Sequence, residues 1–64
     1  MNLAQQFVNE VEYNESKGNL GLDLFHDTLL KFKGKRAEMD FEFEDGSRAY
    51  YDSYNSQWIL GEIE

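Results

Sequence analysis

The sequence predicts one small α+β domain over residues 1–64, in which an N-terminal amphipathic helix packs on a three- to four-stranded antiparallel β-meander. Three observations predict this fold. Apolar residues recur at helical spacing near the N-terminus, they alternate with polar residues from residue 29 onward, and turn-forming glycines divide the alternating part. A chain of 64 residues has room for one hydrophobic core, so the helix stripe and the apolar sheet face should cover each other.

The first predicted element is a helix over residues 2–16. Asn2 is a suitable N-cap, and Gln5, three residues later, completes a capping box. Gly18 is expected just beyond the last turn, where glycine commonly ends a helix. The apolar stripe that should face the sheet consists of Leu3, Ala4, Phe7, Val8 and Val11.

Residues 19–28 fit two periodicities. Their apolar residues match helical spacing, but some of them also alternate as in a strand. The adjacent apolar pair Leu24-Phe25 breaks strict alternation. We therefore expect a short helix or turn here, capped by Asn19. The alternating set is Leu20, Leu22 and Leu24.

Strand periodicity from residue 29 predicts a first hairpin. Gly34-Lys35 fits a two-residue turn, and opposite residues on the two strands then share a face. Apolar residues would meet apolar residues on one face, and opposite charges would meet on the other. The pairs that follow are Phe32 with Ala37, Leu30 with Met39, and Lys31 with Glu38.

The next two turns set the register of the remaining strands. A two-residue loop at Asp45-Gly46 would place Arg48 on the apolar face, so we favour a three-residue loop, 44–46, with Gly46 in the left-handed conformation. A further loop over 53–56 returns the chain. The resulting pairs are Glu42 with Arg48, Phe41 with Ala49, Met39 with Tyr51, Tyr51 with Trp58, and Ala49 with Leu60.

Composition excludes several classes of function. The chain carries 13 acidic and 6 basic side chains, and its net charge of −7 repels nucleic-acid phosphates and anionic lipids. We therefore expect no direct nucleic-acid binding and no membrane association, and we expect a basic protein partner. Without cysteine there is no disulfide or thiolate metal site. The N-terminal residues do not resemble a secretion signal, so we expect a cytoplasmic protein.

Catalytic signals are weak. His26 is the only histidine, and together with Asp23 and Asp27 it could act as a base or supply metal ligands. No second histidine or cysteine completes such a site, and no serine lies in a Gly-x-Ser-x-Gly elbow. We expect no enzymatic activity and no cofactor or metal; a minimal metal-dependent enzyme is the last of our alternatives.

The strongest pattern is a row of carboxylates on the strand before the Asp45-Gly46 turn. Residues at every second position of a strand share a face, which spaces these carboxylates about 6.8 Å apart. They could form a solvated outer face that protects the sheet. They could also imitate the regular charge of a nucleic-acid strand and occupy a basic groove. The row consists of Glu38, Asp40, Glu42 and Glu44, with Asp45 in the turn.

The same outer face should carry Tyr50 and Ile59, with Tyr54 in the adjoining loop. Tyrosine is enriched in interfaces because it offers a large apolar area and a hydroxyl group. By analogy with other small acidic proteins, this combination favours a virus-type inhibitor of a nucleic-acid-handling host protein, of the anti-restriction or anti-CRISPR kind. The alternative is a structural or regulatory protein with no role connected with nucleic acid, which forms a homo-oligomer through Tyr50, Ile59 and Ile63. The predicted contact residues are Glu38, Asp40, Glu42, Glu44, Asp45, Tyr50, Tyr54 and Ile59.

Overall fold

Two helices precede a four-stranded antiparallel meander in the computed structural model, which describes residues 2–19, 21–38 and 40–62. The strands lie in the order β1-β2-β3-β4, and the first helix packs on β2, β3 and β4. The predicted α+β class is confirmed. The elements are α1 (Leu3–Ser16), α2 (Leu22–Lys31), β1 (Gly34–Arg36), β2 (Phe41–Phe43), β3 (Ser47–Asp52) and β4 (Gln57–Glu62).

Helix α1 has the N-cap and the end that its sequence predicts, but the Gln5 side chain, predicted to complete a capping box, donates from Nε2 to Asn9 Oδ1 at 2.9 Å. The Asn2 side chain accepts a hydrogen bond from the Gln5 main-chain N–H at 2.8 Å. Gly18 follows the last turn with φ of 71°, a conformation that costs glycine little. The predicted stripe faces the sheet, because its central members are buried. These members are Ala4, Phe7, Val8 and Val11.

Helix α2 confirms the helical interpretation of the second segment and corrects its limits. Its N-cap is Gly21, with no side-chain cap, so the prediction that Asn19 caps it was wrong. The helix continues to Lys31, so the strand predicted from residue 29 does not form there. Helical spacing extends the apolar stripe from Phe25, which packs on the core, to Leu29, which is buried, and Leu30 consequently faces outward with 58% of its surface exposed.

The first hairpin also differs from the prediction. Gly34 begins β1 instead of forming a turn, and β1 pairs with β2 so that Lys35 lies opposite Glu42. The predicted contacts of Phe32 with Ala37 and of Lys31 with Glu38 therefore do not form. The remaining predicted partner of that hairpin, Met39, lies outside the described residues.

Close packing explains why glycine occupies position 34. A Cβ atom there would lie 2.5 Å from Leu29 Cδ1 and 2.6 Å from Phe43 Cε1. Both of these neighbours are buried core side chains. Gly34 thus permits α2 to approach the hairpin, a role that the sequence alone does not distinguish from a turn.

The other two turns have the predicted registers. Phe41 pairs with Ala49 and Glu42 pairs with Arg48, with Gly46 at φ of 88°. In the last hairpin, Tyr51 pairs with Trp58 and Ala49 with Leu60, also as predicted. The predicted contact of Met39 with Tyr51 involves a residue outside the described ones.

The core lies between the helices and one face of the sheet. Phe7 is completely buried, and its ring centroid lies 5.2–5.8 Å from those of four other aromatic rings. Helix α2 packs on α1 and β1 from the same side. The opposite face of the sheet has no helix over it within the described residues. The four rings around Phe7 belong to Phe25, Phe41, Phe43 and Trp58.

Candidate protein-binding surface

The face of the sheet that points away from the helices, here called the outer face, is built by strand alternation. Phe41, Phe43 and Ala49 point into the core, so the residues between and beside them point outward. Strand pairing aligns one outward residue from each strand in a row across the sheet, and a shorter row lies beside it. The long row is Lys35, Glu42, Arg48 and Gly61, and the short row is Tyr50 and Ile59.

Arg48 lies between two carboxylates of the predicted acidic row. Its Nη1 is 3.6 Å from Asp40 Oδ2, and its Nη2 is 3.3 Å from Glu42 Oε1. The carboxylate side chains are only 20% and 27% exposed, so this contact is partly shielded from solvent. The positive charge of the guanidinium therefore offsets the electrostatic repulsion between Asp40 and Glu42, two members of the predicted acidic row.

On the other side of β2, two lysines pair with Glu42 and Glu44. Lys35 Nζ lies 3.9 Å from Glu42 Oε2, and Lys33 Nζ lies 3.5 Å from Glu44 Oε2. The predicted neighbour from this segment was Lys31, which instead contacts Glu10 of α1 at 2.8 Å. The outer face consequently carries alternating charges where the sequence predicted a continuous negative row.

Glu38 differs from the other members of the row. It is exposed in the bend between β1 and β2, and it forms no ion pair with any residue that the structure describes. Since β2 begins only at Phe41, Glu38 and Asp40 lie outside regular strand structure. The four carboxylates thus do not form a straight, evenly spaced line.

Asp45 has a structural role that local sequence patterns did not reveal. Its Oδ2 accepts a hydrogen bond from the Leu3 main-chain N–H at 2.8 Å, and its Oδ1 accepts bonds from the N–H and the hydroxyl of Ser47. These bonds, above all the one from the Ser47 hydroxyl, hold the pKa of the Asp45 carboxyl below its usual value of 3.8. The carboxylate of Asp45 is therefore engaged by α1 and its own turn.

The three apolar contact residues occupy two places. Tyr50, 43% exposed, pairs with the partly buried Ile59 on the outer face. Tyr54 is 93% exposed in the turn of the last hairpin. Asp52 fixes this turn by accepting hydrogen bonds from the main-chain N–H groups of Tyr54 and Asn55 at 3.0 and 3.3 Å.

The candidate metal ligands lie elsewhere. His26, Asp23 and Asp27 are all exposed on α2, which packs on the helix side of the sheet. Within residues 2–19, 21–38 and 40–62, no three histidine or carboxylate side chains come together in an arrangement that could hold a metal ion. Neither described helix combines the length and apolar character needed to cross a membrane.

Comparisons with protein families, with curated proteins and with solved structures find no match to this chain. Its function must therefore be inferred from the surfaces described above.

Proposed function

We propose that this chain is a small protein-binding module, without enzymatic activity, whose outer face covers a basic surface of a partner protein. The observation that carries the proposal is that this face lacks a covering layer within the described residues. At the same time it presents Tyr50 beside Ile59. An uncovered apolar patch bordered by charged residues is typical of a protein interface.

The charge distribution supports a basic partner. Asp40, Glu42 and Glu44 are matched by three cations at 3.3–3.9 Å, but the whole chain keeps a net charge of −7. Such an excess speeds the approach of a cationic surface, while buried aromatic and aliphatic contacts hold the complex. We assign the approach of the partner to the acidic residues, including Glu38, which pairs with no described residue, and its retention to Tyr50 and Ile59.

We further propose that the partner is a protein that handles nucleic acid, and that the module acts inside a cell as a virus-type inhibitor, of the anti-restriction or anti-CRISPR kind. Proteins that bind nucleic acid present basic surfaces to its phosphate groups. Because cations interrupt the acidic row, we favour steric occlusion of the basic surface over imitation of phosphate spacing. We therefore expect nucleic acid to compete with this chain for the basic surface of the partner.

A capture experiment with matched variants tests this proposal. The immobilised chain is exposed to nuclease-treated lysate from cells in which it is made, alongside Tyr50→Ser and Tyr13→Ser variants. Tyr13 is a suitable control because it is also exposed, at 62%, but lies on α1. We expect the wild type and Tyr13→Ser to retain the same basic protein, Tyr50→Ser to lose most of it, and duplex DNA to displace it.

Two results would overturn the proposal. Equal retention by Tyr50→Ser would remove the outer face from the interface. Sedimentation of the purified chain as a dimer that Tyr50→Ser dissociates would show that this face binds a second copy, which is the homo-oligomer alternative.

A further inference from the structure

A groove lies between α2 and the edge strand β1, on the opposite side of the molecule from the outer face. Its volume is about 480 Å³. Two of its leucines are unusually open to solvent, since Leu22 is 90% exposed and Leu30 is 58% exposed. We call this feature the α2–β1 groove. Its apolar lining is Leu22, Phe25, Leu29, Leu30 and Phe41, and its rim includes His26 and Arg36.

The edge of the sheet beside this groove has free hydrogen-bonding groups. β1 is the first strand in the sheet order, so no described strand lies on its other side. The Ala37 N–H bonds to the Asp40 carbonyl at 2.7 Å, which sets the phase of the β1–β2 ladder. Bonded and non-bonded pairs alternate in an antiparallel ladder, so the main-chain groups of Gly34 and Arg36 point away from β2. Gly34 is buried and Arg36 is exposed, so Arg36 is the residue that offers its main chain at the edge.

The rim of the groove is positively charged although the chain is acidic. Arg36 lies directly opposite Phe41 in the ladder, so its side chain projects on the groove side of the sheet. Its guanidinium forms no ion pair with any described residue. An unpaired guanidinium beside an apolar groove is a suitable binding site for a carboxylate.

We propose that the α2–β1 groove binds an extended acidic segment of a partner protein, which adds to β1 as a further strand. Its main chain pairs with Arg36, and its alternate side chains enter the groove; these side chains are apolar except for one carboxylate, which contacts the Arg36 guanidinium. Recognition by strand addition beside a helix is an established mode of peptide binding. This site is independent of the outer face, and neither proposal rests on the other.

The proposed ligand is tested with short synthetic peptides. The probe is a fluorescent peptide in which valine alternates with threonine and one central valine is replaced by glutamate, and the control peptide has lysine in place of that glutamate. We expect fluorescence anisotropy to detect binding of the acidic peptide only. N-methylation of its central main-chain amides should abolish binding, since strand pairing requires those N–H groups.

Protein variants locate the site. Arg36→Gln should weaken binding about tenfold, as expected for the loss of a charged hydrogen bond, whereas Lys17→Gln should not change it. Both variants have the same net charge, but Lys17 lies at the end of α1. Leu22→Asn, at a position that is 90% exposed, should also weaken binding without affecting folding.

Three outcomes would overturn this inference. They are equal binding of the acidic and basic peptides, equal affinity of Arg36→Gln and Lys17→Gln, and sedimentation as a dimer that Arg36→Gln dissociates. The last would assign the groove to a second copy of the chain. None of these three measurements requires the protein that binds the outer face, so they test the groove separately from the proposed function.

Discussion

The carboxylate of Asp45 accepts a hydrogen bond from the main-chain N–H of Leu3, 42 positions earlier in the chain, at 2.8 Å. Beside it, the Ser47 hydroxyl accepts a bond from the N–H of Ala4 at 3.0 Å. The first N–H groups of a helix have no partner within the helix. The turn between β2 and β3 supplies these partners and thereby connects the start of α1 to the sheet that it covers.

Replacing Ser47 by alanine should destabilise the fold through this connection. The substitution leaves the N–H of Ala4, a completely buried residue, without its acceptor, which costs about 1–3 kcal/mol. For a domain of this size, each 1 kcal/mol lowers the melting temperature by about 4–8 °C. Thermal unfolding followed by circular dichroism measures the change. Ser53→Ala, in the exposed last turn, is the matched control, and equal melting temperatures for the two variants would contradict the capping role.

Asp45 should make stability depend on pH in the acidic range. Its hydrogen bonds, first that from the Ser47 hydroxyl and then that from the Leu3 N–H, lower its pKa from 3.8 in the folded state. The ionised form is therefore favoured by folding, and its contribution is present above 3.8 and lost as the pH falls through the lowered pKa. The difference in unfolding free energy between wild type and Asp45→Asn should therefore shrink as the pH falls through the lowered pKa of Asp45.

Carboxyl-carbon NMR measures the Asp45 pKa directly. We expect a value below 3.8 in the folded protein, and a value at or above 3.8 would contradict the hydrogen-bond geometry. Asp27→Asn, at an exposed position on α2, provides the charge-matched control for the unfolding series.

Local patterns were sufficient to predict much of this fold. The cap at Asn2, the stripe centred on Phe7, and the pairing of Glu42 with Arg48 depend on neighbouring residues and on one turn type. The segment at 29–32 was wrongly predicted as a strand because Leu30 and Phe32 happen to alternate. Over so few residues, alternation does not exclude a continuing helix, and the burial of Leu29 decides in favour of the helix.

The ion pairs of the candidate surface were predicted less well, because they depend on where β1 lies in the sequence. Moving β1 from residues near 30 to Gly34–Arg36 changes which cations reach β2, so Lys35 replaces Lys31 beside the acidic row. The Asp45–Leu3 contact joins distant parts of the chain, and no local pattern indicates it. The α2–β1 groove likewise depends on the packing of α2 against the edge strand β1, which no local sequence pattern indicates.

Two glycine substitutions should change stability in opposite directions. Gly34→Ala would place a methyl group within 2.6 Å of buried Leu29 and Phe43 atoms, and overpacking of this kind costs about 1–3 kcal/mol. Gly61→Ala meets nothing within 4 Å and should stabilise β4 by about 0.5 kcal/mol. Urea unfolding compares the two variants with wild type. A neutral or stabilising Gly34→Ala would show that α2 does not approach the hairpin this closely.

Removing one negative charge should slow partner binding only where that charge faces the partner. Glu38→Gln and Asp27→Asn both reduce the net charge by one, but only Glu38 lies beside β2. We expect Glu38→Gln alone to lower the association rate for the captured partner and to weaken its salt dependence. Surface plasmon resonance at two salt concentrations measures both effects. Identical rates for the two variants would mean that the overall charge, and not its position, governs the encounter.

The measurement that tests the outer face most directly is a ¹H–¹⁵N NMR spectrum of the labelled protein with and without the captured partner. The proposal predicts that amide shifts concentrate on β2, β3 and β4, around Glu42, Tyr50 and Ile59, while the exposed side of α1 near Tyr13 is unchanged. Shifts confined to the helices, with the Tyr50 and Ile59 amides unmoved, would contradict it.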